Sequence, residues 1–591
     1  MGNEDNLLFY DIECFMYDSL VVIKDINNKE VAHYWSEPEN GEFKEDSPNG
    51  FEKLKEVIKD KIMVGYNNFN YDDLILHKMK RGRPQSELKA LNDRIIGGED
   101  VSVEKREAHA DMESIDCIQQ IDVSRPSLKK IEGNMGKSIM ESDIPFDIDR
   151  PLTDEEKEIV YAYCSYDVES TIAIYKLRRD SYFKTKEQLI QMADSKKCKR
   201  WNTTTISGNI LLNHPEAAWE AMRLPEEIWR KIPGIPDEVW NMWEAATYST
   251  RNEKKESKTY RLLDCDITFG FGGLHGVHAL KHKFMDVKLL DVSSMYPSII
   301  VELGALGKGT EKYEEIRTER INIKHTDKVR SQALKLILNS VYGNLKNQYS
   351  ILYNVMAAVT VCVYGQISLF DLCRRLYEAG YTLVNINTDG VAFVDLKGIG
   401  NAYETIWHEW EKDFHLNLEL DEFDLWLQKD VNNYLAKQGD HIKTKGGECN
   451  KYAEENLFSN NDARIIQIAL VDKLMYGKDP LKTIMSHLDE PILYQYVLKA
   501  GHTYAGVYDK EGNQMQNVNR IFAAREDTKY PTTKLYKMRH DGGKVNFPDM
   551  PEHMYVFNDD LEKMTEFKDI IDINHYYEVV RKKLESWSFT S

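Results

Sequence analysis

One stretch, residues 288–300, constrains the fold of this chain more than any other. It reads KLLDVSSMYPSII, which predicts a buried strand that delivers Asp291 at its end and then breaks at Pro297 into a new element. A later stretch, residues 384–394, reads VNINTDGVAFV. Its two apolar runs around an Asp-Gly turn predict a hairpin with Asp389 at the tip. A single aspartate at a strand end is commonly a cap or turn residue.

A third stretch lies between these two, and the order of the three is informative. It reads KLILNSVYG over residues 335–343. In this order and spacing the three stretches resemble motifs A (DxxSLYPS), B (KxxxNSxYG) and C (DTDS) of family B DNA polymerases. The resemblance implies that Asp291, the Val292 carbonyl and Asp389 hold two Mg²⁺ ions, with Mn²⁺ as a substitute. It also implies transfer of dNTPs to a primer 3′-OH on a DNA template.

Motif C departs from the family pattern, and the departure leaves two alternatives open. Asn387 stands where the family has its first aspartate, and Gly390 where it has serine. The chain could be an exonuclease with an impaired polymerase half, or a non-catalytic DNA-binding factor that keeps only the fold. The retained Asp291, Lys335 and Asp389 favour an active polymerase over both.

The motif B region follows helical periodicity. At ~100° per residue, one arc holds Lys324, Lys328, Lys335, Asn339, Tyr342 and Lys346, and the opposite, predicted buried side holds Leu334, Ile337, Leu338 and Val341. A face with lysines and no acid suits a fingers helix that grips a triphosphate. The resemblance places Tyr296 under the sugar, where it would exclude a 2′-OH. The implied nucleotide-binding set is Tyr296, Ser294, Lys335, Asn339, Tyr342, Lys328 and Lys324.

A second acidic set lies toward the N-terminus. Period-two alternation in LLFYDIE, residues 7–13, places Asp11 and Glu13 on one face of a strand. A capping box at Thr153 opens a helix on which Tyr163 and Asp167 lie four residues apart.

With the sequence NNFNYD at residues 67–72, these pieces resemble the Exo I, Exo II and Exo III motifs of proofreading 3′→5′ exonucleases. The resemblance implies that Asp11, Glu13, Asp72 and Asp167 hold two further Mg²⁺ ions around one phosphate. It assigns to Tyr163 the orientation of the attacking water.

Several short elements resemble DNA-contacting segments of the same family. SLKKI at residues 127–131 is similar to an (S/T)Lxxh element, and FGFGGLHG at residues 269–276 is a partial match to a YxGG element. For the glycines, a purely structural bend is an alternative. Residues 425–434 lie where the family has a KKRY-like strand, and residues 443–447 are similar to its KG element. The implied DNA-binding residues are Ser127, Leu128, Asn68, Gly272, Gly273, Lys429, Tyr434, Lys443 and Lys445.

Composition narrows the class of protein. The net charge of −20 argues against a protein that coats nucleic acid by bulk charge, although lysines cluster around residues 324–346 and 429–451. The eight cysteines contain no CxxC pair, which argues against a zinc or iron–sulfur site. We expect no transmembrane helix and no signal peptide, and therefore a location in the cytoplasm of a host cell. We also expect a monomer.

The expected fold is an α/β and α+β multidomain chain, with an RNase H-like exonuclease followed by a right hand of palm, fingers and thumb. The predicted ranges are 1–183 exonuclease, 184–258 helical connector, 259–300 palm, 301–347 fingers, 348–438 palm, and 439–591 thumb with a C-terminal extension. The resemblance is to the compact phage or mobile-element type, whose replication proteins would be partners. The intervals from Asp291 to Lys335 and from there to Asp389 are too short for inserted subdomains. We therefore expect priming by a nucleic-acid 3′-OH rather than by a protein hydroxyl.

Overall fold

The structure is a computed structural model of the whole chain. It describes residues 4–36, 43–44, 50–142, 144–193, 196–212, 224–247, 256–453, 456–459, 463–501 and 503–587. The chain is a mixed α/β protein and divides into two compact units. The first unit comprises residues 1–187, 456–463 and 487–575, and the second comprises residues 188–455, 464–486 and 576–591.

The strands and helices follow one another in mixed order along the chain. The strands are β1 (Leu7–Cys14), β2 (Ser19–Lys24), β3 (Glu30–Ser36), β4 (Phe43–Lys44), β5 (Ile62–Gly65), β6 (Glu113–Asp116), β7 (Lys258–Leu262), β8 (Cys265–Phe269), β9 (Leu274–His278), β10 (Lys283–Val292), β11 (Thr382–Asn387), β12 (Gly390–Val394), β13 (Leu418–Asp430), β14 (Asn433–Gln438), β15 (His441–Lys445), β16 (Tyr496–Lys499), β17 (Gly506–Tyr508), β18 (Val518–Ala523), β19 (Tyr536–Met538), β20 (Lys544–Asn546) and β21 (Met554–Val556). The helices are α1 (Gly50–Val57), α2 (Asp72–Lys80), α3 (Gln85–Ile96), α4 (Ser102–Asp111), α5 (Leu128–Asn134), α6 (Asp154–Arg178), α7 (Lys184–Ala193), α8 (Thr203–Leu211), α9 (Asp237–Thr247), α10 (Met295–Glu302), α11 (Gly309–Ile323), α12 (Lys328–Lys346), α13 (Val355–Ala379), α14 (Ala402–Phe414), α15 (Arg464–Tyr476), α16 (Pro480–Ser486), α17 (Phe567–Ile570) and α18 (Ile573–Trp587).

The first unit is built on a six-stranded sheet of order β4-β3-β2-β1-β5-β6. Strand β1 is antiparallel to β2 and parallel to β5, so the carboxyl ends of β1 and β5 meet at one edge. Helix α6 packs on β1 and β2. Its predicted capping box is confirmed, because Thr153 accepts from the Glu156 backbone and the Glu156 side chain accepts from the Thr153 backbone.

A C-terminal segment, residues 487–575, belongs to this first unit. Its two small sheets have the orders β16-β18-β21 and β17-β19-β20. Fully buried Arg520 on β18 ties the segment to α5, since its guanidinium donates to the backbone carbonyls of Gly133 at 3.1 Å and Lys137 at 2.6 Å. The same side chain donates to Gln495 Oε1 at 2.8 Å. A buried charge is tolerated here because its donors are satisfied by several acceptors.

The second unit is built on a nine-stranded sheet of order β15-β14-β13-β10-β12-β11-β9-β8-β7. Strand β10 lies between β12 and β13, and its apolar residues Phe284, Val287, Leu289, Leu290 and Val292 are buried. Helix α10 begins at Met295 with Pro297 in its first turn, where proline is tolerated. The predicted strand, break and hairpin around Asp291 and Asp389 are confirmed.

The motif B helix is partly as predicted. In α12, Leu334, Ile337, Leu338 and Val341 are all buried, and Lys335 and Asn339 are exposed. Placing Lys324 on the same arc was wrong. The helix begins at Lys328 behind an Asp327 cap, and Lys324 is the C-cap of the preceding helix α11.

Helix α13 is the single described helix long and apolar enough to cross a membrane. Its most apolar window is entirely buried inside the second unit, as in the core helix of a folded domain. Between Asp291 and Asp389, a span that the structure describes throughout, the chain forms α10 to α13 and β11, with no inserted subdomain.

Candidate active sites

Four carboxylates of the first unit converge where β1 and β5 end. Asp11 and Glu13 come from β1, Asp72 from the start of α2, and Asp167 from α6. Glu13, Asp72 and Asp167 are buried, and Asp11 is half-buried. Burial raises the pKa of Asp11 to about 8, and the charge of Asp167 adds to the shift. Burial and then the charge of Asp11 likewise raise the pKa of Glu13 and of Asp72.

One ammonium partly neutralises this cluster. Lys129, on α5, forms an ion pair with Asp167, and its Nζ lies 3.6 Å from a Glu132 carboxylate oxygen. It also lies 4.3 Å from the ring centroid of Tyr163. Burial alone would lower the pKa of Lys129, but the charges of Asp167 and Glu132 outweigh burial and raise it. Lys129 is therefore protonated, and this one ammonium lies among four carboxyl groups.

The donor chemistry of the cluster fits a hard divalent cation. The Cys164 sulfur lies within 4.8 Å of Asp11 and Glu13 ligand atoms, and its thiol is oriented toward the Asp11 backbone oxygen at 3.4 Å. Burial raises the pKa of Cys164 well above its usual range, so the sulfur remains a neutral thiol. The available ligands are then carboxylate oxygens, the ligands that Mg²⁺ and Mn²⁺ prefer. Asp11, Glu13, Asp72 and Asp167 could hold such ions.

A buried network fixes the position of Asp72 through its neighbour. Asp73 is fully buried and accepts from Tyr10 Oη at 2.7 Å, Ser114 Oγ at 2.6 Å and Asn68 Nδ2 at 2.9 Å. The network ties β1, β6 and the turn after β5 to the first residues of α2. Asn68 is therefore buried within the unit, and a DNA contact by Asn68 stays a prediction.

The second unit holds the other carboxylate pair. Asp291 pairs across the sheet with Gly390 on one side and Glu419 on the other. The Val292 backbone N–H donates to the Asp389 carbonyl at 2.7 Å, so the hairpin tip lies against the end of β10. A Cβ at Gly390 would lie 2.9 Å from Asp291 Oδ1. Glycine at this motif C position therefore leaves room for the Asp291 carboxylate.

Charges around the pair set its protonation. Burial raises the pKa of Asp291 to about 7, with Asp389 as the next cause. Burial also raises the pKa of Asp389, and the charges of Lys445 and Lys443 oppose that rise. Two carboxylates that repel each other beside two lysines form a site suited to a cation and an anionic substrate together. Asp291 and Asp389 could hold the cations, and a contribution of the Val292 carbonyl stays a prediction.

Asn387 has a structural partner that an aspartate could not have. Its Nδ2 donates to the Val431 carbonyl, in the turn between β13 and β14, at 3.1 Å. Thr388, the next residue, has φ of 60° and donates its backbone N–H to the Leu274 carbonyl at 2.9 Å. The hairpin tip that carries Asp389 is thus held from both sides.

Aromatic rings connect motif A to motif B. Tyr296 on α10 stacks on Tyr342 of α12, with centroids 4.6 Å apart and planes inclined by 27°. Tyr296 Oη is oriented toward the Gly272 carbonyl at 3.4 Å, and Lys346 Nζ donates to the Phe271 carbonyl at 3.0 Å. The predicted sugar-side tyrosine and the glycine-rich turn therefore share one site. Lys335 lies two helical turns before Tyr342 on the same face of α12.

The remaining predicted nucleotide and DNA contacts have varied surroundings. Exposed residues are Ser294, Lys324, Lys328, Gly272 and Lys445. Gly273 is buried, with φ of 135°, and a Cβ there would meet the Thr388 side chain at 3.0 Å. This supports the structural interpretation of that glycine. Ser127 immediately precedes α5, and Leu128 is half-buried.

Two residues predicted to contact the primer, Lys429 and Tyr434, interact with neighbouring side chains. Lys429 pairs with Glu448 at 2.9 Å. Tyr434 is buried and stacks on Trp426 with centroids 4.5 Å apart. Burial, then the charges of Asp291 and Asp389, raises the pKa of Tyr434 to about 12. Each of these DNA contacts stays a prediction.

Several residues of both sites were not predicted from the sequence. Lys129 was within a quoted segment, but its pairing with Asp167 spans α5 and α6 and has no local signal. Glu419 and Asp421 did have a local signal in the sequence. The alternation Leu418-Glu419-Leu420-Asp421 places both acids on one strand face. Glu419 lies opposite Asp291 and accepts from Ser293 Oγ at 3.0 Å.

Comparisons with known proteins find distant likeness in structure and none in sequence. No protein-family model matches the sequence, and no curated protein matches it. Among solved structures, the chain is similar to the family B DNA polymerase from the hyperthermophilic archaeon Pyrobaculum calidifontis, at 13% sequence identity and a TM-score of 0.43. The match covers 98% of this chain and 77% of the archaeal chain. A likeness this distant does not establish a shared activity.

Proposed function

We propose that the protein is a template-directed DNA polymerase that extends a primer 3′-OH and carries a separate 3′→5′ exonuclease. The observation that carries the proposal is the position of Asp291, near the end of β10, beside Asp389 in the adjoining hairpin turn, next to the stacked Tyr296 and Tyr342. Two carboxylates at such a position are what two-metal phosphoryl transfer requires.

In the polymerase site, the chain's own residues would position the substrates. Mg²⁺ bound by Asp291 and Asp389 would supply charge neutralisation of the triphosphate and a lowered pKa of the primer hydroxyl. Lys443 and Lys445, whose charges act on Asp389, would contact phosphates of the nucleic acid. Lys335 is exposed on the face of α12 that bears Tyr342, where it would contact the triphosphate. Tyr296 would block a ribose 2′-OH.

In the exonuclease site, the four carboxylates of the first unit would hold the ions, which would supply a metal-activated water. Tyr163 remains protonated because burial and then the charge of Asp167 raise its pKa. Its hydroxyl can therefore donate, and its hydrogen bond to Asp167 favours the charged form of that carboxylate. Lys129 would orient Asp167 and limit repulsion within the acidic cluster.

The compact phage or mobile-element type, with replication proteins of such an element as partners, is the finer part of the proposal. It rests on the motif resemblance. The two rival functions, an exonuclease with an impaired polymerase half and a non-catalytic DNA-binding factor, differ from the proposal in what Asp291 and Asp11 do.

The test is a primer-extension and primer-degradation assay with Mg²⁺, four dNTPs and a labelled primer–template. Asp291→Asn should abolish extension and leave degradation, because the pair lies in the second unit. Asp11→Ala with Glu13→Ala should do the reverse. Wild-type protein that degrades without extending would favour the impaired polymerase, and absence of both activities would favour the binding factor. Loss of both activities in either folded variant would refute the assignment of two sites.

A further inference from the structure

The small sheet β17-β19-β20 of the first unit belongs to neither candidate active site. The chain around it is unusually basic for a protein of net charge −20. Residues 529–544 contain five Lys or Arg residues and a single acid, Asp541. Tyr530 and Tyr536 are interleaved with these cations. A basic segment with interleaved aromatic residues is the composition that nucleic-acid surfaces use.

The register of the sheet places the aromatic side chains on one face. Tyr508 pairs with Tyr536, which pairs with Asn546. In the adjacent row, Met538 pairs with Lys544 and with Gly506, which adds no side chain. Directly paired residues, and residues two apart on a strand, project to the same face. We call the five side chains on this face, those of Tyr508, Tyr536, Met538, Lys544 and Asn546, the tyrosine platform.

The platform is accessible. Tyr508, Tyr536 and Met538 are half-buried, and Lys544 and Asn546 are exposed. Val507, whose side chain lies on the opposite face, is fully buried. The face that carries the two neighbouring tyrosines therefore reaches solvent, most of all at Lys544 and Asn546.

Lysine ammonium groups surround Tyr536. Lys544 Nζ lies 5.1 Å and Lys534 Nζ 5.9 Å from its ring centroid. Lys534 is paired with Glu552, whereas Lys544 has no carboxylate within 4.0 Å among the described residues and donates to the Lys510 carbonyl at 3.1 Å. Cations this close to a ring lie within reach of the phosphates that flank a base stacked on it.

We propose that the tyrosine platform binds single-stranded nucleic acid, with unpaired bases stacked on Tyr536 and Tyr508 and flanking phosphates bound by Lys544 and Lys534. Charge complementarity favours a polyanion, because Lys534 and Lys544 lie in a basic segment of a chain whose net charge is −20. Stacking on a tyrosine ring requires a base whose own face is free, which favours a single strand over a duplex. The binding is independent of base sequence, since every base has a π face.

The test measures fluorescence anisotropy of a labelled oligo-dT of roughly 16 nucleotides, with the full-length protein in EDTA over a series of salt concentrations. Without divalent metal, the result does not depend on catalysis, so its failure is distinct from failure of the proposed function. Tyr536→Ala should weaken binding about 5- to 150-fold, the equivalent of one lost stacking contact. Tyr536→Phe keeps the ring and should bind like the wild type.

The contribution of the two lysines is measured by the salt dependence of binding. Lys534→Ala with Lys544→Ala should reduce the slope of log affinity against log salt by about 1.4, for two phosphate contacts on a single strand. The matched control is Lys55→Ala with Lys59→Ala, which removes the same charge from exposed positions elsewhere in the first unit. It should leave the slope near that of the wild type. Circular dichroism and thermal unfolding check the fold of every variant.

Three outcomes would overturn the proposal. The first is wild-type affinity and salt slope in both folded platform variants. The second is an equal loss of slope in the Lys55 and Lys59 control, which would indicate bulk charge alone. The third is a duplex that binds as tightly as oligo-dT with the same dependence on Tyr536, which would make the face a duplex contact.

Discussion

Replacing Asn387 with aspartate restores the family pattern of motif C, and the structure predicts a cost in stability with little gain in rate. The Asn387 amide donates to the Val431 carbonyl at 3.1 Å. A carboxylate has no hydrogen to donate, so two oxygens would face each other and the carbonyl would lose its partner. The new charge would also lie close along the chain to Asp389.

The size of the effect follows from that one contact. Leaving a partly buried acceptor unsatisfied costs about 1–3 kcal/mol. For a unit of this size, that corresponds to a decrease in the unfolding temperature of roughly 2–6 °C. We expect the extension rate to change by less than about tenfold, or 1.4 kcal/mol, because Asp389 rather than residue 387 would bind the metals.

The assay pairs thermal unfolding with single-nucleotide incorporation for Asn387→Asp, Asn387→Ala and the wild type. The alanine variant removes the donor without adding charge, so it separates loss of the hydrogen bond from electrostatic repulsion. An aspartate variant as stable as the wild type would refute the structural role of the amide. A rate increase well beyond tenfold would show that Asn387 impairs catalysis, as the impaired-polymerase alternative requires.

Three further predictions concern the sugar, the ions and the primer. Tyr296→Ala should raise ribonucleotide incorporation about 10- to 200-fold, whereas Tyr296→Phe should not, because it keeps the ring stacked on Tyr342. Unchanged discrimination between dNTP and rNTP in the alanine variant would exclude Tyr296 as the steric barrier. In EDTA, Asp11 keeps its proton to about pH 8 when folded but loses it near pH 4 when unfolded, so stability should fall as pH rises between these values. Stabilisation by Mg²⁺ should grow over the same window in thermal unfolding scans, and a pH-independent effect of Mg²⁺ would contradict a metal site at these carboxylates. Finally, incubation with dNTPs and no oligonucleotide should label no protein serine, threonine or tyrosine, and efficient transfer of a first nucleotide to such a hydroxyl would refute nucleic-acid priming.

Periodic and local signals were sufficient for much of the fold. The run before Asp291, the turn at Asp389 and the capping box at Thr153 were predicted because each depends on residues a few positions apart. The buried side of α12 was predicted for the same reason. The start of the helix was misplaced, because Lys324 matches the helical period although it lies outside α12. The Asp327 cap, which ends that arc, is a local signal that periodicity ignores.

The tertiary structure alone decided the contacts between residues that are distant in sequence. Pairing of Lys129 with Asp167 depends on how α5 packs beside α6, and Glu419 faces Asp291 only through the register of β13 on β10. Likewise, Arg520 joins a C-terminal segment to α5. The sequence by itself determined which residues could form strands, turns and helices, because those preferences are local. Which charges meet was decided by packing, since a buried charge accepts any partner that the assembled backbone brings within reach.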